Sequence, residues 1–510
     1  MKKRSLILLV VFSLLCGGCT KVRTDEGGAG NETSVTNSVT VGITQDLDSL
    51  DPHVAVAAGT DEVLFNIFEG LVKPDENGNV YPAVAESYTV SEDAKTYTFL
   101  LRDNVKFHNG DVVTTEDVVY SLKRCAGFKD VSDDNVLVES ALSVITDIYA
   151  ENDNTVIVKL SEPSTELIYY LTCAIIPADY KDQATAPIGT GPYKFESYTP
   201  LTSFVIVKND DYYGEKASVD KVTFKIFQST DAAFLELLAG TVDIMTELTT
   251  DQMDQLKDKY NAVSSEYNLV QALFLNNDFE PFKNKNVRKA LCMAIDRNEI
   301  MSLLYGENMG TLIGSGMFPG ISEYFADDLV NYYTYDTDSA KKLLAEAGYA
   351  DGFEFTITIP SAYATHVTTG EIIVEQLKKI GITAKINTVE WSTWLSDVYA
   401  NRDYEATIIG LDANLAPSDI LKRYNSDASN NFINFNDSEF DKNFALGLTA
   451  LQTSEKKTYY YECQRILTED AASVFIQDPI KITAVKKGLA GYTPYPLYVF
   501  DASKLYWEEN

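Results

Sequence analysis

The sequence predicts a mixed α/β fold, because segments with the two-residue period of strands alternate with segments that have the 3.6-residue period of helices. The chain has 510 residues, of which 45% are apolar and 23% are charged. This balance is typical of globular domains and excludes a disordered chain, a collagen-like fibre and a membrane protein with many spans. The length corresponds to about three domains. No internal repeat of about 20–50 residues is found, which excludes solenoids and propellers.

Four segments show the alternation of strands most clearly, and they are residues 39–43, 97–101, 222–226 and 353–359. In the last of these, aromatic and branched residues occupy every second position from Phe353 to Ile359. Such alternation places one face of a strand on the core and leaves the other face more polar. These segments are therefore predicted to be strands.

Three helices are predicted from their end signals. Thr114 can cap a helix over 115–124, with two acidic residues in the first turn. Asp338 precedes a predicted helix over 339–347 that ends at Gly348, and a helix over 371–380 ends at Gly381. Glycine is common at the C-terminal end of helices because it adopts the left-handed conformation at little cost.

The charge balance excludes one large class of function. The chain has 75 acidic residues against 42 Lys and Arg, a formal net charge of −33. Phosphate backbones are bound by clusters of Lys and Arg, so no nucleic-acid partner is expected.

Catalytic and metal-binding patterns are not found in the sequence. There is no G-x-S-x-G turn, phosphate loop or HExxH motif. The three histidines, His53, His108 and His366, are far apart and lack the spacing of metal ligands. We therefore expect a protein that is not an enzyme and that has no cofactor and no metal.

The N-terminus predicts secretion. Three basic residues follow Met1, and an apolar run over 5–16 is shorter than the roughly 20 residues that a membrane-spanning helix needs. Gly17-Gly18-Cys19 resembles a bacterial lipobox, although Cys16 stands where that pattern prefers Leu. We predict a signal peptide over 1–18, lipidation of Cys19 and a flexible tether over 19–38, which is rich in Gly, Ser, Thr and Asn. The alternative is a coincidental cysteine in an ordinary cleaved signal.

The remaining cysteines, Cys125, Cys173, Cys292 and Cys463, contain no CxxC pair. Four cysteines in a chain of this length do not form a disulfide scaffold. The sequence leaves open whether Cys125 and Cys173 form a disulfide or stay free thiols.

Several motifs occur together and in a fixed order along the chain. They are FEGL (68–71), YPAVAESY (81–88), SEDAKTYTF (91–99), LRDNVKFHNG (101–110), EDVVYS (116–121), GTGPY (189–193), NVRKA (286–290), AIDR (294–297) and DSAKKLLAEAGY (338–349). Together they resemble the family-5 extracellular solute-binding proteins, which include the dipeptide and oligopeptide receptors of ABC importers. Most of these motifs are expected to be architectural, with a hairpin turn over 102–110 and a surface charge pair between Arg288 and Asp296.

The resemblance implies a two-lobed, periplasmic-binding-protein-like α/β fold with an extra domain and a ligand cleft between the lobes. Lobe I is placed at 39–62, 188–270 and 490–510, the extra domain at 63–187 and lobe II at 271–489. Two or more strands that cross between the lobes would form the hinge of a closing motion.

The resemblance also implies where a ligand would bind. In relatives that bind peptides, the peptide backbone pairs with strand edges, and a carboxylate faces the ligand's α-ammonium group. By register with these relatives, Leu411 stands where they have Trp, and Asn414 stands where they have the amine-binding Asp. Asp412 is the alternative carboxylate, because positions 412 and 414 share one face of a strand. The neutral amide of Asn414 puts an amine contact at this position in question.

Four further positions are candidates by the same resemblance. Trp391 matches a residue that lines the ligand cavity, and Asp46 matches an acidic residue of the cleft. Tyr267 and Asn268 stand where the chain is expected to cross between lobes. The structural alternatives are a core aromatic residue for Trp391 and a solvated loop acid for Asp46.

The sequence thus predicts a monomeric, lipid-anchored receptor that captures short peptides outside the cell and delivers them to an ABC permease. The alternatives are a receptor for a non-peptide solute, such as a metallophore or an oligosaccharide, and a receptor for a peptide signal.

Overall fold

A computed structural model of the chain describes residues 37–130, 137–306 and 309–508. The predicted signal peptide over 1–18, Cys19 and the predicted tether as far as residue 36 lie outside the described residues.

Strands form most of the framework of the described residues. The strands are β1 (Ser38–Ile43), β2 (Val72–Pro74), β3 (Val80–Pro82), β4 (Ala85–Val90), β5 (Thr96–Leu101), β6 (Ile145–Asn152), β7 (Thr155–Leu160), β8 (Tyr193–Thr199), β9 (Ser203–Lys208), β10 (Lys221–Ile226), β11 (Ile244–Leu248), β12 (Tyr260–Glu266), β13 (Val270–Leu275), β14 (Thr311–Leu312), β15 (Glu354–Pro360), β16 (Thr383–Val389), β17 (Ala406–Leu411), β18 (Val474–Asp478), β19 (Ile480–Lys486), β20 (Leu489–Ala490) and β21 (Tyr506–Trp507).

Helices connect and cover these strands. The helices are α1 (Ala58–Leu64), α2 (Thr115–Cys125), α3 (Thr230–Ala239), α4 (Thr250–Leu256), α5 (Glu280–Lys283), α6 (Lys285–Ala294), α7 (Arg297–Tyr305), α8 (Thr337–Glu346), α9 (Ala364–Lys378), α10 (Trp391–Thr393), α11 (Pro417–Leu421), α12 (Ser438–Thr449) and α13 (Thr453–Glu469). Short 3-10 turns include Ser140–Val144 and Leu167–Tyr170, and a π-helical turn follows α10 at Trp394–Ala400.

The first sheet has seven strands in the order β12-β19-β11-β1-β10-β9-β8. Its centre is parallel, since β1 pairs with both β10 and β11 in parallel. The alternate residues Val39 and Val41 of β1 and Val222 and Phe224 of β10 are buried in one core. The alternation that predicted these two strands therefore comes from one buried face.

The second sheet has six strands in the order β14-β18-β13-β17-β15-β16. Strand β13 is buried along its whole length and pairs antiparallel with β17 and β18. Strand β15 pairs in parallel with β16 and β17, and its Phe355, Ile357 and Ile359 side chains are buried. These sheets are the cores of two lobes, which confirms the predicted two-lobed α/β fold.

A third, four-stranded sheet in the order β4-β5-β7-β6 packs against α2. Its core includes Tyr97 and Phe99 of β5, which face Val118 and Leu122 of α2. This body lies within the segment that the sequence assigned to the extra domain.

The chain crosses between the two large sheets at two places. Residues 267–269 connect β12 to β13, and Pro479 connects β18 to β19. The two crossings are hydrogen-bonded to each other, because the Tyr267 N–H donates to the Pro479 carbonyl at 2.9 Å. Strand β19 pairs with β11 and β12 of the first sheet, whereas the sequence division placed residues as far as 489 in the second lobe. The lobe boundaries stay a prediction.

Two predicted helix starts are wrong. Helix α8 begins at Thr337, because Asp336, and not Asp338, accepts the first N–H groups, from Asp338 and Ser339, at 3.0 Å each. Helix α9 begins at Ala364, seven residues before the predicted start at 371.

Arg288 does not form the predicted surface pair with Asp296. It is only 6% exposed, and its guanidinium donates to the backbone carbonyls of Phe282, Asp470 and Ala471. Asp296 instead caps α7 by accepting a hydrogen bond from the Glu299 N–H. A guanidinium has five N–H donors, so it can satisfy several carbonyls that the ends of helices leave free.

The GTGPY motif is architectural. The Gly191 N–H donates to the Ile67 carbonyl at 2.8 Å, and the Tyr193 N–H donates to the Asn66 carbonyl at 3.0 Å. A Cβ atom at Gly189 would lie 2.2 Å from the Ile67 oxygen, and one at Gly191 would lie 2.5 Å from the Asn66 oxygen. Glycine is required here because two backbone segments approach each other too closely for a side chain.

Helix α2 begins as predicted, and this start can be tested. Thr114 Oγ1 accepts from the Asp117 N–H at 3.3 Å, and Asp117 Oδ2 accepts from the Thr114 N–H at 2.9 Å. We expect Thr114→Ala to lower the free energy of unfolding by about 1 kcal/mol, the usual contribution of such a cap. The change is measured as a shift of the urea midpoint. Glu116→Gln in the same turn is the control, and equal midpoints for the two variants would contradict the role of the cap.

Candidate functional site

A cavity of about 240 Å³ lies where several parts of the chain meet. Its walls come from residues 52–74, which include α1, from residues 138–174 of the extra domain, from Asn414 and from residues 497–499. The lining combines aromatic and acidic side chains, among them Phe65, Tyr170, Asp61 and Glu139. A concave site with an apolar lining and a few polar groups is the usual form of a small-molecule site.

Asn414 lines this cavity from the loop that follows β17. Its backbone N–H donates to Asp419 Oδ2 at 2.9 Å, which fixes the loop on the first turn of α11. Its side-chain amide lies near the Glu139 carboxylate of the extra domain and favours the charged form, although burial has the larger and opposite effect on the pKa of Glu139. Asn414 therefore lines the cavity on the side of Glu139.

Asp412 contacts the wall of the same cavity. The Tyr498 hydroxyl donates to Asp412 Oδ2 at 2.6 Å, and Tyr498 is a lining residue. The Asp412 carbonyl accepts from Arg423 Nη2 at 2.9 Å. Burial raises the pKa of Tyr498, and the hydrogen bond to Asp412 raises it further. The structure thus brings Asp412 and Asn414 to one site, with the Asp412 carboxylate already engaged by a phenol.

The edge of β17 near this loop is occupied by a side chain of the protein. The backbone N–H of Gly410 donates to His366 Nε2 at 3.1 Å, and His366 Nδ1 lies 2.9 Å from the Gln271 amide nitrogen. Burial lowers the pKa of His366 to about 4, so this ring is neutral and can accept at physiological pH. A peptide backbone could not pair with Gly410 through this N–H without displacing the imidazole.

Trp391 lies at the surface beside these groups. It stacks on the buried Trp394 with ring centroids 5.1 Å apart, and it packs edge-on against Tyr363 at 5.6 Å. Trp391 is 39% exposed and Tyr363 is 42% exposed, so the pair presents an aromatic surface to solvent. In the described structure, Trp391 is not among the residues that line the 240 Å³ cavity.

Tyr267 and Asn268 lie in the first crossing between the sheets, as expected. Asn268 adopts a left-handed backbone with φ of +62°. It lines a second cavity of about 240 Å³, together with Glu266, Gly320 and Tyr495. A Cβ atom at Gly320 would lie 2.0 Å from Asn268 Oδ1, so this approach depends on glycine. Asn414 and Asn268 therefore line two different cavities, and the other candidate residues line neither of these two.

The carboxylate of Asp46 accepts hydrogen bonds from the hairpin of β8 and β9. Its Oδ1 accepts from the Tyr198 hydroxyl at 2.9 Å, and its Oδ2 accepts from the Leu201 N–H at 2.9 Å. These bonds attach the loop after β1 to the turn between β8 and β9. The carboxylate of Asp46 thus has a structural role in the first lobe, and its predicted contact with a ligand stays a prediction.

Sequence reasoning missed a buried carboxyl group at the second crossing between the sheets. Asp478 ends β18, is fully buried, and accepts from the Leu269 N–H at 3.2 Å, while its Oδ2 has no partner among the described residues. Burial raises the pKa of Asp478 well above its usual range, and the carboxylate of Glu266 adds to this shift. The available signal was an Asp-Pro pair between two apolar strands, where Pro479 ends one strand before the next begins.

Three further features of the described residues bear on function. No group of three or more His, Cys, Asp and Glu side chains within the described ranges is arranged to hold a metal ion. In the same part of the chain, none of the helices combines the length and the apolar character needed to cross a bilayer. The cysteines at 125, 173, 292 and 463 are free thiols.

The chain matches the sequence profile of a family described as bacterial extracellular solute-binding proteins, family 5 Middle, over residues 79–432. The chain belongs to this family. The match covers most of the predicted extra domain, the predicted first-lobe segment over 188–270 and much of the predicted second lobe, and it includes Asn414 and its loop.

Relatives of this solute-binding protein extend the similarity along the chain. The oligopeptide-binding protein AppA of Bacillus subtilis is 26% identical over 96% of this chain and 95% of its own. The heme-binding protein A of Haemophilus influenzae is 27% identical over 83% of each chain. The structure of CtaP, an ABC transporter substrate-binding protein of Listeria monocytogenes, superposes with a TM-score of 0.81 at 26% identity, over 92% of this chain and 99% of that one.

Proposed function

We propose that this family-5 solute-binding protein captures short peptides outside the cytoplasmic membrane and delivers them to the permease of an ABC importer. The observation that carries the proposal is the cavity at the junction of both lobes and the extra domain, lined by aromatic and polar groups and by Asn414. The relative AppA, named as an oligopeptide-binding protein, matches nearly the whole chain and supports peptide as the ligand class.

The proposed mechanism is closure without chemical change. The crossings at 267–269 and at Pro479 would act as the hinge, with Asp478 and Tyr267 holding them together through hydrogen bonds. A ligand that contacts both lobes stabilises the closed arrangement, because it has a differential affinity for the two states. The protein would then release its ligand unaltered.

The proposed site residues follow from their positions. Asn414 and Tyr498 would contact the ligand in the cavity, and Asp412 would orient Tyr498. Trp391 would offer an aromatic face nearby, and Tyr267 and Asn268 would act at the hinge. Asp46 would act indirectly, by fixing the loop between β1 and α1.

The proposal also includes a lipid anchor through Cys19 and a monomeric receptor outside the cell. The lipobox-like Gly17-Gly18-Cys19 supports the anchor, and membership in a family of extracellular solute-binding proteins supports the location. Delivery to a permease requires only that the soluble part remains close to the membrane, which a tether provides.

We expect the purified protein to carry or bind short peptides. Ligands that copurify are identified by mass spectrometry of the denatured protein. Added peptide is expected to raise the melting temperature with concentration, since binding to the folded state adds RT ln(1 + [L]/Kd). Small-angle scattering is expected to show compaction on binding. No response to any peptide pool in either measurement would refute the peptide proposal.

A second candidate ligand is a non-peptide solute. It is favoured by the neutral amide at Asn414 and by the similarity to a relative named as heme-binding protein A. The same mass spectrometry separates the two candidates, because a copurified metallophore, oligosaccharide or porphyrin has a mass that no short peptide shares. A role as a receptor for a peptide signal would be favoured if no permease genes lie beside this one.

A further inference from the structure

The first cavity, at the junction of both lobes and the extra domain, is called the junction cavity below. Its lining has more acidic than basic side chains. Three carboxylates line it, those of Asp61, Glu69 and Glu139, and among the described lining residues the only basic side chain is that of Lys73. Lys73 already pairs with Glu69 at 2.9 Å. Glu69 also accepts from the Tyr212 hydroxyl at 2.7 Å, so this carboxylate is fully engaged inside the protein.

Asp61 and Glu139 are the two carboxylates without a cation. Asp61 lies in the first turn of α1, and the charged groups that act on it are all acidic, namely Asp48, Glu139 and Glu62. The neutral amide of Asn414 lies near Glu139 and favours its charged form. Lys422 acts on Glu139 at a distance but is itself paired with Asp419. The cavity therefore contains two carboxylates, those of Asp61 and Glu139, that form no ion pair among the described residues.

Aromatic rings line the cavity that contains these carboxylates. Phe65, Tyr169, Tyr170 and Tyr498 line the same cavity. Aromatic faces attract cations through their quadrupole, and they supply apolar contact for the methylene groups of a basic side chain. Carboxylates combined with aromatic walls recognise an organic cation, whereas an anion would be repelled.

We propose that the junction cavity binds a cationic group of the ligand between Asp61 and Glu139, which line it together with Asn414. The negative charge of the site is thus supplied by α1 and by the extra domain, and not by the loop after β17. This inference rests on the proposed function and names the part of the peptide that the site selects.

The neighbourhood of the two acids agrees with this assignment. Asp61 keeps an exposed surface, yet partial desolvation raises its pKa to about 6, and the nearby carboxylates of Asp48 and Glu139 add to the shift. Burial also raises the pKa of Glu139. Crowded carboxylates of this kind have an unfavourable energy that a bound cation relieves, which is a source of binding affinity.

The cation can come from the α-ammonium group or from a basic side chain of a peptide, so the test uses probes that separate them. Binding of three tripeptides is measured by calorimetry: Ala-Arg-Ala, Ala-citrulline-Ala and acetyl-Ala-Arg-Ala. Citrulline keeps the shape of arginine without its charge, and acetylation removes the charge of the N-terminus. We expect at least one neutralised peptide to bind about tenfold more weakly than Ala-Arg-Ala.

The same measurements on Asp61→Asn, Glu139→Gln and the double variant show whether these acids cause the difference. We expect the double variant to lose the discrimination and to bind all three peptides with similar affinity. Both single variants keep the shape of the side chain, and their melting temperatures verify that they fold. Glu151→Gln, at an exposed position on β6, is the control and is expected to discriminate like the native protein.

Two results would overturn the inference while leaving the proposed function intact. One is equal binding of all three tripeptides to the native protein, and the other is unchanged discrimination in the double variant. Binding of none of the three would overturn the peptide function itself, and the selection of a cation with it.

Discussion

Replacing Glu166 by alanine is expected to lower the free energy of unfolding by about 3–5 kcal/mol, the usual cost of leaving one charge of a buried ion pair without its partner. Glu166 and Lys456 are only 1% and 5% exposed, and their charged atoms lie 3.3 Å apart. Glu166 also accepts from the Tyr460 hydroxyl at 2.5 Å and from the Ser418 N–H at 3.0 Å. The substitution would leave a buried ammonium, a buried phenol and a backbone N–H unsatisfied.

The measurement is the urea midpoint of the variant against the native protein. Glu162→Ala is the matched control, because Glu162 lies in the same loop and is exposed. The double variant Glu166→Ala with Lys456→Met removes both charges and is expected to recover part of the loss. If Glu166→Ala and Glu162→Ala had equal midpoints, the buried pair would contribute nothing to stability.

This network also joins two parts of the molecule. Glu166 belongs to the extra domain, while Lys456 and Tyr460 belong to α13, on the second-lobe side. The adjacent Thr165 N–H donates to the Leu448 carbonyl at 3.0 Å, which extends the contact to α12. The extra domain is therefore attached to the second lobe through a buried polar contact, and the loss of that contact would loosen the wall of the junction cavity.

The strands were predictable because their alternation has a single physical cause. In β15, the residues that alternate in the sequence, Phe355, Ile357 and Ile359, are the ones that the helices cover. The order of strands in the sheets could not be predicted in this way, since periodicity records which face is buried and not which neighbour covers an edge. The predicted end of the second lobe at 489 is an example. The sequence of β19 has the same alternation whichever sheet the strand joins, so it does not indicate the lobe to which the strand belongs.

The start of α9 shows how packing overrides local preference. Its first two turns contain Thr365, Thr368, Thr369 and Gly370, which disfavour helices on their own. In the structure, Thr369 and Gly370 are buried against the second sheet, and a Cβ atom at Gly370 would lie 2.6 Å from Ile359 Cδ1. The small residues allow the helix to lie close to the sheet. The residues whose low helix propensity led to the wrong predicted start are therefore the ones that allow this close packing.

Residues of the candidate site were predictable from the sequence where they lie in a recognisable motif. They were not predictable where distant segments meet only in the folded protein. Asn414 was found by its place in a recognisable loop, and it does line the junction cavity. Asp61 and Glu139 belong to separate elements, and only the docking of the extra domain brings them to one cavity. With 75 acidic residues in the chain, no sequence pattern distinguishes these two from acids on the solvated surface.

The affinity for a cationic peptide is expected to fall about tenfold between pH 7 and pH 5 if Asp61 receives the cation. The pKa of Asp61 is raised to about 6, by burial first and then by the carboxylates of Asp48, Glu139 and Glu62. Below pH 6 the carboxyl group takes up a proton and loses its charge, so the fraction of protein able to bind a cation falls roughly tenfold across this range. Glu139, whose pKa is also raised, changes affinity in the same direction.

Calorimetric titration of Ala-Arg-Ala at half-unit steps of pH measures this change, and constant ionic strength separates protonation from screening. Two other charged groups near the cavity change this pH dependence little. Lys73 is paired with Glu69. Burial acts to raise the pKa of Asp48, but its hydrogen bonds with Thr60 and the Val56 N–H lower it overall. Asp61→Asn should reduce the slope of the profile, since an amide does not titrate, and the slope that remains comes from Glu139. A profile that keeps its slope in this variant would assign the pH dependence to another group and would remove Asp61 from the site.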